Sequence, residues 1–201
     1  MFMKPQTIHA MMKQSFKARG LYVASIHGNL ALAGTGWAVF IIKKFCPNEI
    51  KAETVKLTGE LPLDGMCYTA SEDGNQQAFP EAMQMNLFKE VEKHTTRELE
   101  DTLITVRGIF GTYRIYDGHP DRPIVVNEDM CQKISNRLCD EEEEIFGPCM
   151  DDNGRIYWQS SRMAFAYMET DLEIVGEKDK DAADTIWKAW RTLTACGTGD
   201  G

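Results

Sequence analysis

The chain has 201 residues, 43% of them hydrophobic, enough for one core of ordinary size and too few for two independent domains. Its formal net charge is -9, so the molecule as a whole repels nucleic acid, and any such contact has to use a locally basic face. The start Met1-Phe2-Met3-Lys4-Pro5 lacks the apolar core and cleavage site of a signal peptide, and no run approaches the roughly 20 apolar residues that span a bilayer. A cytoplasmic chain with reduced thiols and no membrane contact is the expectation.

In chain order, Thr7 caps a helix over 7–19 whose Ile8, Met11, Met12, Ser15 and Phe16 form one face, and Gly20 is placed to end it. Leu21 to Ile26 is rich in strand formers and His27-Gly28-Asn29 is turn chemistry. Leu30 to Ala33 and Trp37 to Lys44 continue as strands around a turn or bulge at Gly34-Thr35-Gly36. Thr54 to Leu61 alternates as a further strand, and 63–79 is turn-rich, with Ser71 to Asn75 the most exposed loop. Pro80 opens a helix running to Lys93 with Met83, Leu87, Phe88 and Val91 on one side.

Strands follow at Leu103 to Phe110, Thr112 to Tyr116 and, after an Asp117-to-Pro120 turn, Ile124 to Val126. Asn127 caps a helix carrying Met130, Ile134 and Leu138, which the acidic run Asp140 to Glu144 ends. Ile145 to Met150, Arg155 to Gln159 and Met163 to Met168 read as strands, the first two joined by a hairpin turn at Asp151 to Gly154. A last helix over 181–194 stacks Ile186, Trp187, Trp190 and Leu193, and a flexible tail is expected over 196–201.

The order helix, strand, Xaa-Gly turn, strand, apolar run occurs twice, once over Thr7 to Lys44 and again over Asn127 to Met168. The runs Trp37-Ala-Val-Phe-Ile-Ile and Met163-Ala-Phe-Ala-Tyr-Met occupy matching places, as a duplicated unit would leave them. The expected fold class is α+β, a largely antiparallel sheet in two helix-plus-strands repeats. The single domain divides into repeat one (7–62), a helical insertion (63–100), repeat two (102–175) and a C-terminal helix.

In this arrangement, and in the segment from Tyr113-Arg-Ile-Tyr-Asp-Gly to Ile156-Tyr-Trp-Gln-Ser, the chain resembles a DNA sliding-clamp domain of the short, divergent phage type. The resemblance covers 7–62 and 102–175. It implies paired helices facing DNA, outer sheets, and a closed ring of copies joined by sheet-edge pairing.

Lysines and arginines spaced to leave an apolar face free are what a DNA-facing helix needs. Lys4, His9, Lys13, Lys17 and Arg19 give the first helix a basic outer surface, and Lys133 and Arg137 lie on the second beside Glu128 and Asp129. The expected DNA contacts are Lys13, Lys17, Arg19, Lys133 and Arg137. The alternative reading uses Glu141, Glu142, Glu143, Glu144, Asp151 and Asp152 as a phosphate-mimicking surface, as in acidic anti-defence proteins of the anti-CRISPR type that bind a host nucleic-acid-handling protein.

Catalytic patterns are weak. Gly34-Thr35-Gly36 sits between strands and does not form a phosphate loop. Ser25, His27 and Asp64 are scattered candidates for a nucleophile and its base, and Glu60, Asp64, Asp117 and Asp151 for a metal-dependent nuclease. Cys46, Cys67, Cys131, Cys139, Cys149 and Cys196 contain no Cys-Xaa-Xaa-Cys pair, and His9, His94 and His119 have no partner at metal-ligand spacing. Tyr157, Trp158, Trp187 and Trp190 read as core more than as a stacking surface. The expectation is a non-catalytic binding protein without metal or cofactor, with a protein partner, a local basic helix for duplex DNA, and self-assembly.

Overall fold

The computed structural model describes residues 1–77, 86–94, 97–108, 111–135, 138, 143–168 and 177–197, and the side chains of these except 94, 177–180 and 193–197. Helix α1 (Pro5–Lys17) starts two residues before the expected Thr7 cap, because proline in the first turn has a preset φ and needs no N–H partner. Arg19, with φ 59°, makes the left-handed reversal after it in place of Gly20, whose N–H donates to the Ser15 carbonyl at 2.9 Å.

Strands β1 (Leu21–Ile26), β2 (Asn29–Gly34) and β3 (Trp37–Ile42) form an antiparallel meander. His27 and Gly28 both have positive φ (49° and 75°), as a two-residue type I′ hairpin turn requires.

The segment expected as a strand at Thr54 to Leu61 is instead helix α2 (Asn48–Thr58). Pro47 precedes it, Ile50, Thr54 and Thr58 share its buried face, and both threonine hydroxyls donate to carbonyls four residues back at 2.8 Å. That back-bonding satisfies the hydroxyls inside the helix, so both threonines can be buried there despite the strand preference of threonine and valine. The turn-rich stretch after it contains a hairpin, β4 (Cys67–Ser71) and β5 (Gly74–Gln77), and β4 pairs with β1.

Helix α3 (Leu87–His94) begins where Asn86 Oδ1 accepts from the Phe88 N–H at 3.2 Å, and not at Pro80 as expected; Pro80 and Met83 lie outside the described residues. The short β6 (Arg97–Glu98) precedes β7 (Glu100–Gly108), β8 (Gly111–Asp117) and β9 (Ile124–Asn127). Helix α4 (Glu128–Cys131) is a single turn, with Asn127 Oδ1 accepting from the Asp129 N–H, where a longer helix through Leu138 was expected. Strands β10 (Phe146–Met150), β11 (Arg155–Gln159) and β12 (Met163–Met168) form the second meander, and α5 (Glu177–Gly197) extends through Cys196, into the stretch expected as tail; 198–201 lie outside the described residues.

The main sheet runs β5-β4-β1-β2-β3-β12-β11-β10-β6, antiparallel at every pairing, and a second sheet runs β7-β8-β9. The two apolar runs of the repeat are the strands that meet, Val39 opposite Phe165 and Trp37 opposite Tyr167. The spacing from Val39 to Phe165 is also that from Gly28 to Gly154, both at φ 75°, so an approximate twofold passes between Val39 and Phe165.

One face of the main sheet presents Val23, Leu32, Val39, Ile41, Ile156 and Phe165 to α1, α2 and the N-terminal Phe2 and Met3. The other presents small residues, Ala24, Ala31, Ala164 and Ala166 around Phe40 and Tyr157, and α3 lays Leu87 and Val91 against them. The three-stranded sheet is packed on both sides. Ile115 meets Ala183 and Trp187 of α5, while Tyr116, Ile124 and Val126 join the main core.

At Gly28 a Cβ meets nothing within 4 Å, whereas at Gly147 (φ 107°) it falls 2.4 Å from the Tyr157 carbonyl oxygen. Gly28→Ala should therefore lose about 1 kcal/mol, the left-handed backbone penalty alone, and Gly147→Ala markedly more, a ranking that urea-unfolding midpoints check.

Candidate nucleic-acid interface

The start of α1 and the segment after α4, far apart in sequence, lie side by side. The Ser135 N–H donates to the Phe2 carbonyl at 3.0 Å. Between them opens a cavity of about 450 Å3 lined by Lys4, Thr7, Asp129, Gln132, Lys133 and Ser135, with Leu138 at its edge. Its charged lining groups are two lysines, Lys4 and Lys133, and one carboxylate, Asp129, with Thr7, Gln132 and Ser135 able to donate hydrogen bonds.

α4 is held in place by a charged tie. Arg114 donates to both Glu128 oxygens, at 2.7 and 2.6 Å, and to Asp101 at 2.7 Å, and the Gln132 amide adds a bond to Glu128 at 3.2 Å. The Arg114 hydrogen bonds hold the Glu128 carboxyl below the usual carboxylate range, and burial pushes the neighbouring Tyr116 hydroxyl and Cys131 thiol up. Lys133, directly after this turn, donates to the Asp129 carbonyl at 2.7 Å.

The other expected DNA contacts lie along α1, away from this cavity. Lys13 is half exposed and 3.3 Å from Glu53 of α2; Lys17 is exposed in the last turn; Arg19 is exposed and 3.1 Å from Asp73. Arg137 lies outside the described residues. Lys4 lines the cavity, a place that helix periodicity alone did not single out. The overlooked sequence signal is one of sign: residues 1–48 carry six of the 22 basic residues and none of the 31 acidic ones. Lys51 and Lys56 lie on the helix beside α1, and Lys56 falls within the stretch expected as a strand.

The acidic surface of the alternative reading divides. Glu143 is buried, pairs with the Met1 ammonium, accepts from the Ser160 hydroxyl and lies 4.0 Å from Arg162. Asp151 is also buried, accepting from the Asn153 and Arg155 N–H groups and the Tyr157 hydroxyl at 2.8, 2.9 and 2.8 Å. Both carboxylates are engaged inside the fold and neither presents a surface to a partner. Glu144 and Asp152 are exposed, the latter 3.7 Å from Arg97, and Glu141 and Glu142 lie outside the described residues.

The catalytic candidates Ser25, Asp64, Glu60, Asp117 and Asp151 each make hydrogen bonds within the fold. Ser25 donates to Asp64 at 3.3 Å and accepts from Lys43 at 2.9 Å, with Lys43 also bonding the Pro62 carbonyl. This brings together a serine, a lysine and a carboxylate, with Ser25 fully buried. Asp64 accepts in addition from the Gly28 N–H, so the cluster pins the β1–β2 turn. Glu60 binds the Tyr68 hydroxyl at 2.9 Å, and Asp117 accepts from Trp187 Nε1 at 2.8 Å and meets Arg191 at 3.0 Å. Among the described residues no three metal-ligating side chains converge. Cys46, Cys67 and Cys149 are buried and Cys131 is half-buried, and burial pushes Cys46 up to about 11; the side chains of Cys139, Cys196 and His94 lie outside those described. Tyr157, Trp158 and Trp187 are core residues.

No protein-family model, curated protein or solved structure matches the chain. No described helix is long and apolar enough to cross a membrane.

Glu128→Gln should weaken the tie and lower stability at pH 7 by about 1–2 kcal/mol, discounted for partial exposure of Arg114. Because the folded-state carboxyl is held low, its contribution is present above the unfolded value of roughly 4.3 and is lost as pH falls through the folded one. Urea midpoints of the two proteins should therefore differ at pH 7 and converge on acidification.

Proposed function

We propose that the chain is a non-catalytic, cytoplasmic binding protein of the phage or mobile-element kind, related to DNA sliding-clamp domains, whose helical layer approaches duplex DNA. One observation carries the reading: two repeated meanders form one continuous sheet, and α1 and the α4 segment, the helical parts of the two repeats, meet on the same side of it around Lys4 and Lys133. The acid-free stretch of residues 1–48 supplies α1 and so gives that layer a sign opposite to that of the whole molecule. Such a local reversal serves a polyanion, since a positive face inside an acidic chain attracts phosphates at close range while the remainder limits indiscriminate binding.

Clamp action needs copies enough to enclose a duplex, so assembly accompanies this role. Backbone phosphates supply the affinity in this reading, so binding is expected to be insensitive to sequence.

The test is fluorescence anisotropy on duplex DNA across a salt series. Wild type should bind at low salt, and the Lys13→Ala/Lys17→Ala/Arg19→Ala protein should bind more weakly with a flatter salt dependence, the slope falling by about 0.9 for each phosphate that is no longer neutralised. A chain that ignores duplex DNA at low salt, or whose binding these substitutions leave unchanged, removes the proposal and returns attention to Glu144 and Asp152 as contacts to a host protein.

A further inference from the structure

Three charged groups that line one cavity have no ion-pair partner among the described residues. Lys4, Lys133 and Asp129 border the space of about 450 Å3 between the start of α1 and the α4 segment, and none lies within ion-pair distance of another described charge. Charges elsewhere in the fold are spent on one another: Arg114 on Glu128 and Asp101, Glu143 on the Met1 ammonium, Asp117 on Arg191. Around this cavity, groups of both signs are left to whatever enters it.

Local spacing puts them there. Lys4 and Thr7 are three residues apart at the start of α1, and Asp129 is three and four residues from Gln132 and Lys133, so each set shares one side of its turn. The fold holds the two sides in place. Phe2 and Met3 are buried next to the first, the Ser135 N–H ties the second to the Phe2 carbonyl at 3.0 Å, and Arg114 anchors α4 through Glu128. Lys133 gives one bond to the Asp129 carbonyl and keeps further N–H groups to donate, and the Thr7 and Ser135 hydroxyls have no hydrogen-bond partner among the described residues.

The volume falls within the roughly 300–1,000 Å3 of small-molecule pockets. Phosphates of a duplex run along the outside of a stiff rod and cannot fill a cavity of this kind. A bare anion suits the two lysines but is repelled by Asp129. A ligand that suits all three charges has an anionic end for Lys4 and Lys133 and hydroxyl groups that donate to the Asp129 carboxylate, which are the groups a sugar phosphate carries.

We infer that this cavity is a binding site for a phosphorylated sugar, free or as part of a mononucleotide, with the phosphate between Lys4 and Lys133 and the sugar hydroxyls on Asp129. The site shares the helical layer with the proposed duplex contacts but uses neither Lys13, Lys17 nor Arg19, so it can fail or succeed apart from the DNA-binding reading.

Calorimetric titration of the full chain with inorganic phosphate, ribose-5-phosphate and adenosine monophosphate is the test. Ribose-5-phosphate should bind one per chain with a Kd below about 1 mM, and inorganic phosphate roughly tenfold or more weakly. Equal affinity for adenosine monophosphate leaves its base outside the cavity, and tighter binding makes the mononucleotide the occupant. Lys4→Gln should weaken both sugar phosphates about tenfold. Asp129→Ala separates this site from a merely basic surface, because it keeps the backbone groups that bond Lys133 and Asn127. It should weaken ribose-5-phosphate severalfold and tighten inorganic phosphate, whereas a surface that attracts anions by charge alone would bind both more tightly. Both side chains are exposed, and unchanged urea midpoints check that the variants fold. No binding of either sugar phosphate, full affinity in Lys4→Gln, or tighter ribose-5-phosphate binding in Asp129→Ala overturns the inference. The Lys13→Ala/Lys17→Ala/Arg19→Ala protein should bind ribose-5-phosphate like wild type, whatever its affinity for DNA.

Discussion

Val39 of the first meander lies opposite Phe165 of the second, and the ladder running from this pair joins the two repeats into one sheet. Without the β3–β12 pairing, each meander would expose an edge strand made almost wholly of apolar residues, Trp37 to Ile42 on one side and Met163 to Met168 on the other. Such edges are templates for aggregation, and pairing them with each other removes both hazards together. The approximate twofold follows from that choice of partner, and it brings the N-terminal end of α1 to the segment after α4.

The two faces of the joined sheet differ in kind. Large aliphatic residues on one face require a thick cover and receive α1, α2 and the anchored N-terminus. Alanines on the other leave a shallow surface across the join, where the short α3 can bring Leu87 and Val91 close to the backbone. The two halves also differ in their helices. α1 runs for 13 residues, whereas its counterpart keeps one turn and relies on the Arg114–Glu128 tie for its position.

Charge is distributed by the same division. The first repeat's helix and strands come from the acid-free stretch, while the acidic residues fall largely on turns and on the second half of the chain, where several are used internally. Glu143 and Asp151 illustrate the difference between a charge counted and a charge available. The acidic run looks like a surface in sequence, yet one of its carboxylates is buried against Met1 and Ser160, and Asp151 organises a hairpin turn. Burying a carboxylate is costly unless donors surround it, and here they do.

By itself the sequence determined the local periodicities: the apolar face of α1, both meanders with their glycine turns, the amphipathic α5, and the shared order of elements that sets Trp37 and Met163 in matching places. These are properties of neighbours a few residues apart, which composition and period reveal. Tertiary structure alone decided that the duplicated runs pair with each other, because register between distant strands is set by which hydrophobic faces find cover. It also decided that Thr54 and Thr58 lie in a helix, that the second helix stops after one turn, that Lys4 and Lys133 line one cavity, and that Arg19 takes the left-handed turn after α1. Each of these depends on partners far along the chain, or on a backbone conformation that residue type alone argues against.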